Sequence, residues 1–427
     1  MNSINKEKIS DFVDVFLENI EIDKNHKHFK YVSNIIKESI YRRIYMYQNI
    51  KYIPKNFDNC TNYLIKPNDN GTYSVEDFFL NRLMMSLGKF NFNSMGEIGL
   101  GGYSSDREIN LDLDSSYKES MAVMNDQNYA NQFAVESLVH EIGHALQVSF
   151  SNSINRGTGF KYLKDNYLNL LNALKTYKDG KYKDLIVDDN KLDLDGKLQK
   201  TDFEGINSHD YSETGYLNSL NLNTHNLDEM MNELEATKVA GMTDEKFVFN
   251  SIYDGDEKSG YYEKVPNIIC GYRRWYGISK EIYALVGENT MFKMQYGNSD
   301  TALSEFDQKY KDVSQEMFGN DCISPTSIIC FYVNNIEKAN RSYKYYVFIH
   351  DFLSKCIEKK VDSILNNNLA TREQVSDFVD TIDSILNSTL HHTDSKIDNE
   401  LPHIIRYTSI KEKLLNKLME NKSGFNI

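Results

Sequence analysis

The chain has 427 residues and a mass of 49.6 kDa, with 48 Lys and Arg against 62 Asp and Glu, a net charge of -14 and a pI near 5.3. Hydrophobic residues make up 40% and aromatics 12%, enough apolar material for a sizeable core, so a largely disordered chain is excluded. An acidic chain with scattered Lys and Arg repels phosphate backbones, which argues against nucleic acid as a partner.

Behind Met1-Asn2-Ser3-Ile4 no apolar segment of signal-peptide type follows, and no apolar run approaches the roughly 18 residues that span a bilayer. The expectation is a cytoplasmic protein without a membrane span, with export by a signal-less route left open. Cys60, Cys270, Cys322, Cys330 and Cys356 are odd in number, scattered and without a CxxC pair, which reads as reduced, buried thiols.

Two helices are expected in the first fifty residues, broken near Asp23-Lys24-Asn25-His26. Ile9, Phe12, Val13, Phe16 and Leu17 give the first an apolar stripe of helical period. A loop around Pro54 and Pro67 precedes a helix through Val75–Leu87. Strict alternation over Glu108–Asp114 predicts a strand with Ile109, Leu111 and Leu113 on one face. The Gly-rich segment from Gly96 to Tyr103 reads as its partner strand or a flap. Helical patterns follow at 131–150, 160–177, 226–240, 264–287, 301–317, 325–366, 371–388 and 408–421. The stretch 178–226 is rich in Asp, Asn, Lys and Gly and reads as irregular. The expected class is α+β, mostly helical with a small sheet. The expected division is an N-terminal helical region over 1–95, a central region over 96–320 with an insertion at about 155–225, and a C-terminal helical region over 321–427.

The helix at 131–150 contains His140-Glu141-Ile142-Gly143-His144, the HExxH pattern. Histidines four apart lie one turn apart on one helix face, so both imidazoles can reach a single metal ion. Glu141 projects beside them and can reach a water on that metal without ligating it. Two imidazoles and an oxygen ligand suit zinc, one per chain, with a fourth position open for water.

A strand followed by an HExxH helix resembles the zincin metallopeptidases. That resemblance implies peptide-bond hydrolysis by zinc-bound water, Glu141 as general base, and a peptide or protein substrate docked along the Glu108–Asp114 strand as the sheet edge; the alternative is a zincin-like binding or scaffold protein without turnover. The metzincin extension is absent, since Gln147 and Phe150 stand where Gly and His are required. Lys164-Asp165 stand where thermolysin relatives carry a ligand Glu. The segment Asn226–Gly241 resembles the second helix of the gluzincins, in which a ligand Glu is followed four residues later by Asp. That places Glu233 as third ligand, with Glu235 as the alternative, and Thr237 where an Asp usually orients the first His. Asn226 reads as N-cap with Glu229 at N3.

An oxyanion stabiliser is also implied. Tyr276 and Arg273 are candidates, with Tyr211 and Tyr216 as further options. Lys191–Gly196 falls short of a calcium loop and reads as a solvated turn. His209 and His225, and the pair His391-His392, read as ordinary polar residues.

Overall fold

The structure is a computed structural model and describes residues 5–55, 57, 64–93, 101–104, 106–125, 127–147, 224–240, 246–248, 261–266, 276–297, 299–318, 324–334, 343–366, 370–388, 390–392 and 401–423. The segments expected as a helix at 160–177 and as irregular chain at 178–223 lie outside them.

Helix α1 (Lys6–Asn19) starts at Asn5, whose side chain accepts the Lys8 N–H at 3.1 Å, and buries the expected stripe of Ile9, Val13, Phe16 and Leu17. Helix α2 (Phe29–Met46) lays Val32, Ile36, Ile40 and Ile44 into the same core. Helix α3 (Val75–Ser86) begins at Ser74, which accepts the Asp77 N–H.

A four-stranded sheet packs beside them. Strands β1 (Glu21–Ile22), β4 (Lys89–Asn91), β6 (Glu108–Leu111) and β5 (Gly101–Ser104) lie in that order, and only β5 runs antiparallel to its neighbour. Strands β2 (Ile53–Pro54) and β3 (Thr72–Tyr73) form a separate antiparallel pair. The expected strand over 108–114 therefore ends at Leu111. Asp112 caps helix α4 (Leu113–Met124) by accepting the Ser115 N–H at 2.9 Å, which turns the chain out of the sheet. Ile109, Leu111 and Leu113 do face the core.

Helix α5 (Gln127–Gln147) carries the HExxH pattern, and helix α6 (Thr224–Ala240) packs against it. Beyond them come β7 (Lys246–Val248) and β8 (Tyr261–Pro266), which with β9 (Leu390–His392) make a three-stranded sheet. The helix expected over 264–287 is thus corrected: its first residues belong to β8, and helix α7 spans Tyr276–Tyr296. The cause is Pro266, which disfavours helical backbone at the residue before it. Helices α8 (Ser299–Phe318), α9 (Pro325–Asn334), α10 (Tyr343–Asn366), α11 (Arg372–Ser388) and α12 (Pro402–Ser423) complete the described residues.

The fold is mostly helical with a small sheet, as the patterning implies. Its buried residues gather into two main apolar cores. One core joins α1–α3 and the four-stranded sheet to Leu138, Ile142 and Leu146 of α5 and to Phe292 and Tyr296 of α7. The other runs from Met230 of α6 through α7–α11 to Leu414 of α12, across the expected cut near 321. No helix among the described residues is long and apolar enough to cross a membrane. Cys330 and Cys356 are buried free thiols, and Cys60, Cys270 and Cys322 lie outside the described residues.

Candidate active site

The seam between the two cores is where α5 meets α6. Gly143, inside the HExxH pattern, makes the approach possible. A Cβ there would stand 2.1 Å from Asn232 Oδ1 and 2.9 Å from Arg43 Nη2. Through this gap Asn232 Nδ2 donates to the His140 carbonyl at 2.9 Å, and Arg43 Nη2 donates to the Val139 carbonyl at 3.0 Å. Arg43 is fully buried and paired with Glu235, whose Oε1 accepts from Arg43 Nε at 2.8 Å and from Tyr296 Oη at 2.5 Å. Glu235 is therefore committed to a structural network and removed as a ligand alternative.

His140 and His144 bring their Nε2 atoms to 2.9 Å of each other. Glu229 closes the triangle: Oε2 lies 3.2 Å from His140 Nε2, and Oε1 lies 3.2 Å from His144 Nε2. Ligands about 2.0–2.2 Å from a tetrahedral zinc stand about 3.3–3.5 Å apart, so these three donors need open only slightly to receive one. His140 and Glu229 are buried and His144 half-buried, and the donor set is two imidazoles and a carboxylate, which zinc prefers.

Glu233 occupies a different place from the one expected. Its Oε2 lies 2.7 Å from His140 Nδ1, on the far side of the ring from His144. Glu229 thus faces Nε2 of both imidazoles, while Glu233, one helical turn on, faces Nδ1 of His140 beside Glu136. Thr237 does not reach the imidazole at all; its Oγ1 donates to the Glu233 backbone carbonyl at 2.8 Å. Glu229 looked like an N-terminal capping residue because Asn226 resembles a cap. The helix instead begins at Thr224, so Glu229 lies in its second turn, where it is buried.

The electrostatics follow from this packing. Burial opposes charge on His140, but the carboxylates of Glu229 and Glu233 outweigh it and hold the pKa well above the ordinary histidine value. Burial likewise opposes charge on Glu229, yet hydrogen bonds from both imidazoles hold its carboxyl far below the usual range. Behind them, Glu136 is hydrogen-bonded to Glu233, and burial followed by the Glu233 charge pushes its pKa well up. Burial also raises the pKa of Glu141, against the pull of the two imidazoles. Its Oε2 is buried and has no hydrogen-bond partner among the described residues.

Strand β5 borders this carboxylate. A Cβ on Gly101 would stand 3.4 Å from Glu141 Oε1 and 2.6 Å from Leu111 Cδ1. β6 has neighbours on both sides, so among the described residues the sheet ends beside the site at β5 and not at the 108–114 segment. Tyr276 opens α7 but its side chain, like Arg273, Tyr211, Tyr216 and His209, is outside the described residues, as are the side chains of His225, His391 and His392. Beyond the HExxH residues, the groups that sequence reasoning missed are Glu229, Glu136, Asn232 and Arg43. The signal for Glu229 was present: within Asn226–Gly241 only Glu229 and Glu233 put two carboxylates four residues apart.

The chain matches no protein-family model, and neither a curated protein nor a solved structure matches it.

Proposed function

We propose that the chain is a zinc-dependent peptide hydrolase of the gluzincin type that its HExxH helix resembles. The observation that carries this reading is the triangle of His140 Nε2, His144 Nε2 and the Glu229 carboxylate, with the buried Glu141 beside it. His140, His144 and Glu229 would hold the ion. Glu233 would keep the proton on Nδ1 of His140, so that the Nε2 lone pair faces the site. Bound zinc would supply Lewis acidity, lowering the pKa of a water from about 15.7 towards about 7 and polarising a carbonyl.

Glu141 does the proton transfer. Its raised pKa and partnerless oxygen fit it to take a proton from the attacking water and deliver it to the departing amine nitrogen. Among the described residues β5 is the last strand of its sheet, and its outer edge offers backbone N–H and C=O groups to an extended peptide, which the bare Cα of Gly101 lets lie close to Glu141. The alternative of a non-catalytic binding protein drew on Thr237 as a neutral replacement for an orienting acid. Glu233 supplies that acid, which favours the enzyme.

The test compares zinc-loaded chain with its Glu141→Gln variant on a broad peptide library. Cleavage by the first alone, at equal zinc content, is the expected result. Equal cleavage by both, or none by the zinc-loaded chain, would sink the reading.

A further inference from the structure

We propose that Gln147 and Gln295 form a neutral amide relay that positions His144 for metal binding, an inference that rests on the zinc reading above. The two imidazoles of the triangle are held in different ways. His140 has the carboxylate of Glu233 on its Nδ1. His144 has Gln147 Oε1 at 3.2 Å from its Nδ1, three residues on along the same face of α5. Gln147 Nε2 in turn donates to Gln295 Oε1 on α7. Gln295 is buried, and its own Nε2 has no partner among the described residues, so the relay ends there.

Each bond in this relay fixes the next. An imidazole that presents the Nε2 lone pair to a metal must carry its proton on Nδ1, so the group facing Nδ1 must accept. An amide can present either end; with Nε2 occupied by Gln295 Oε1, Gln147 is left with Oε1 towards His144. Gln295 is therefore what orients Gln147, and Gln147 is what selects the His144 tautomer. Neither touches the reacting atoms; both are positioning residues.

Backbone geometry delivers Gln295 to this place. Helix α7 breaks at Gly287, where φ is 71° and ψ 175°, a conformation that glycine adopts without a Cβ clash. The carbonyls of Ala284 and Leu285 at the break accept from Lys360 Nζ at 2.6 and 3.1 Å. The segment beyond the break ends in Gln295 and Tyr296, which brace both helices of the site: Gln295 reaches α5 through Gln147, and Tyr296 reaches Glu235 on α6. The Tyr296 carbonyl is itself pinned by Arg82 Nη2 at 2.9 Å.

A neutral acceptor makes His144 a weaker donor than a carboxylate would. Gln147→Leu removes the acceptor, and Gln147→Glu replaces it with a charged one to which Gln295 can donate after an amide flip. Zinc affinity measured by chelator competition should fall about 10- to 100-fold in Gln147→Leu, as partners of ligating histidines typically show. It should return to the parent value or above in Gln147→Glu. Gln295→Leu should give a smaller loss of the same sign. Cobalt(II) absorption should shift in Gln147→Leu and recover in Gln147→Glu, a readout that a purely structural role would leave unmoved. Unchanged zinc affinity in Gln147→Leu, in a chain that does bind zinc and loses it in His140→Ala, overturns the relay alone. If the parent chain takes up no zinc, the metal reading falls and the relay with it.

Discussion

Among the described residues, two buried clusters of histidine and glutamate are built to opposite rules. In the first, between α5 and α6, three donors from His140, His144 and Glu229 point at a common centre. In the second, between α7, α10 and α12, the groups pair off. Glu281 Oε1 accepts from Tyr407 Oη, Glu281 Oε2 lies 2.6 Å from His350 Nδ1, and the His403 ring stacks on His350 with centroids 5.0 Å apart. All four residues are buried, yet among the described residues three metal-type donors come together only between α5 and α6, as His140, His144 and Glu229 and, on the other side of the His140 ring, as Glu136, His140 and Glu233. Burial of His and Glu together is thus no sign of a metal centre by itself; convergence of lone pairs is.

The sharpest way to break this comparison is a pair of double variants. His140→Ala with His144→Ala should take zinc content from one per chain to none, whereas His350→Ala with His403→Ala should leave it at one, as read by elemental analysis of folded protein. Zinc lost from the second pair would mean that the clusters are not distinct in kind.

Next in size is the contrast between two carboxylates of one helix. Glu229→Ala removes the proposed third ligand, so its loss of zinc affinity should exceed the roughly 10- to 100-fold expected of Glu233→Ala, which removes the partner of His140 Nδ1. The reverse order would return the ligand position to Glu233.

Stability should separate the clusters as well. Glu281→Ala removes the buried acceptor of Tyr407 Oη and the carboxylate beside His350 Nδ1, which should cost about 1–3 kcal/mol without changing zinc content. Gly143→Ala overpacks the α5–α6 contact at Asn232 and should cost about 1–3 kcal/mol while also weakening zinc binding. Urea titration reads both; a stable Gly143→Ala chain with unchanged affinity would show that the helices can separate freely.

The smallest effect is one of pH. The raised pKa of His140 means that its contribution to the metal-free chain is fully present below the ordinary histidine value and is lost as pH rises through the raised one. The depressed carboxyl of Glu229 contributes above the ordinary carboxylate value and fails only in strong acid. Zinc must displace the imidazole proton, so its affinity should instead rise with pH. Thermal melts with and without zinc, from about pH 5 to about pH 9, should show the two trends diverging. Parallel trends would mean that zinc does not replace protons at this cluster.

How much of this the residues announce depends on range. HExxH is legible because one helical turn fixes both histidines, and α1 and α2 are legible because their stripes have a single period. Glu229 was hidden among Glu229, Glu233 and Glu235, since which nitrogen of His140 each acid meets is set by how α6 packs on α5 and not by local spacing. Pairing with Arg43, 192 residues away, is what commits Glu235 elsewhere, and no local pattern encodes that. The sheet edge was misplaced for a similar reason. Alternation marks Glu108–Leu111 as a strand, but only β4, contributed by Lys89–Asn91, makes it an interior one.

Anomalous scattering at the zinc edge, from crystals of the zinc-loaded chain, tests the central claim most directly. The account predicts one peak about 2.0–2.2 Å from His140 Nε2, His144 Nε2 and a Glu229 oxygen. A peak between His140 Nδ1, Glu136 and Glu233, or no ordered zinc at all, would contradict it.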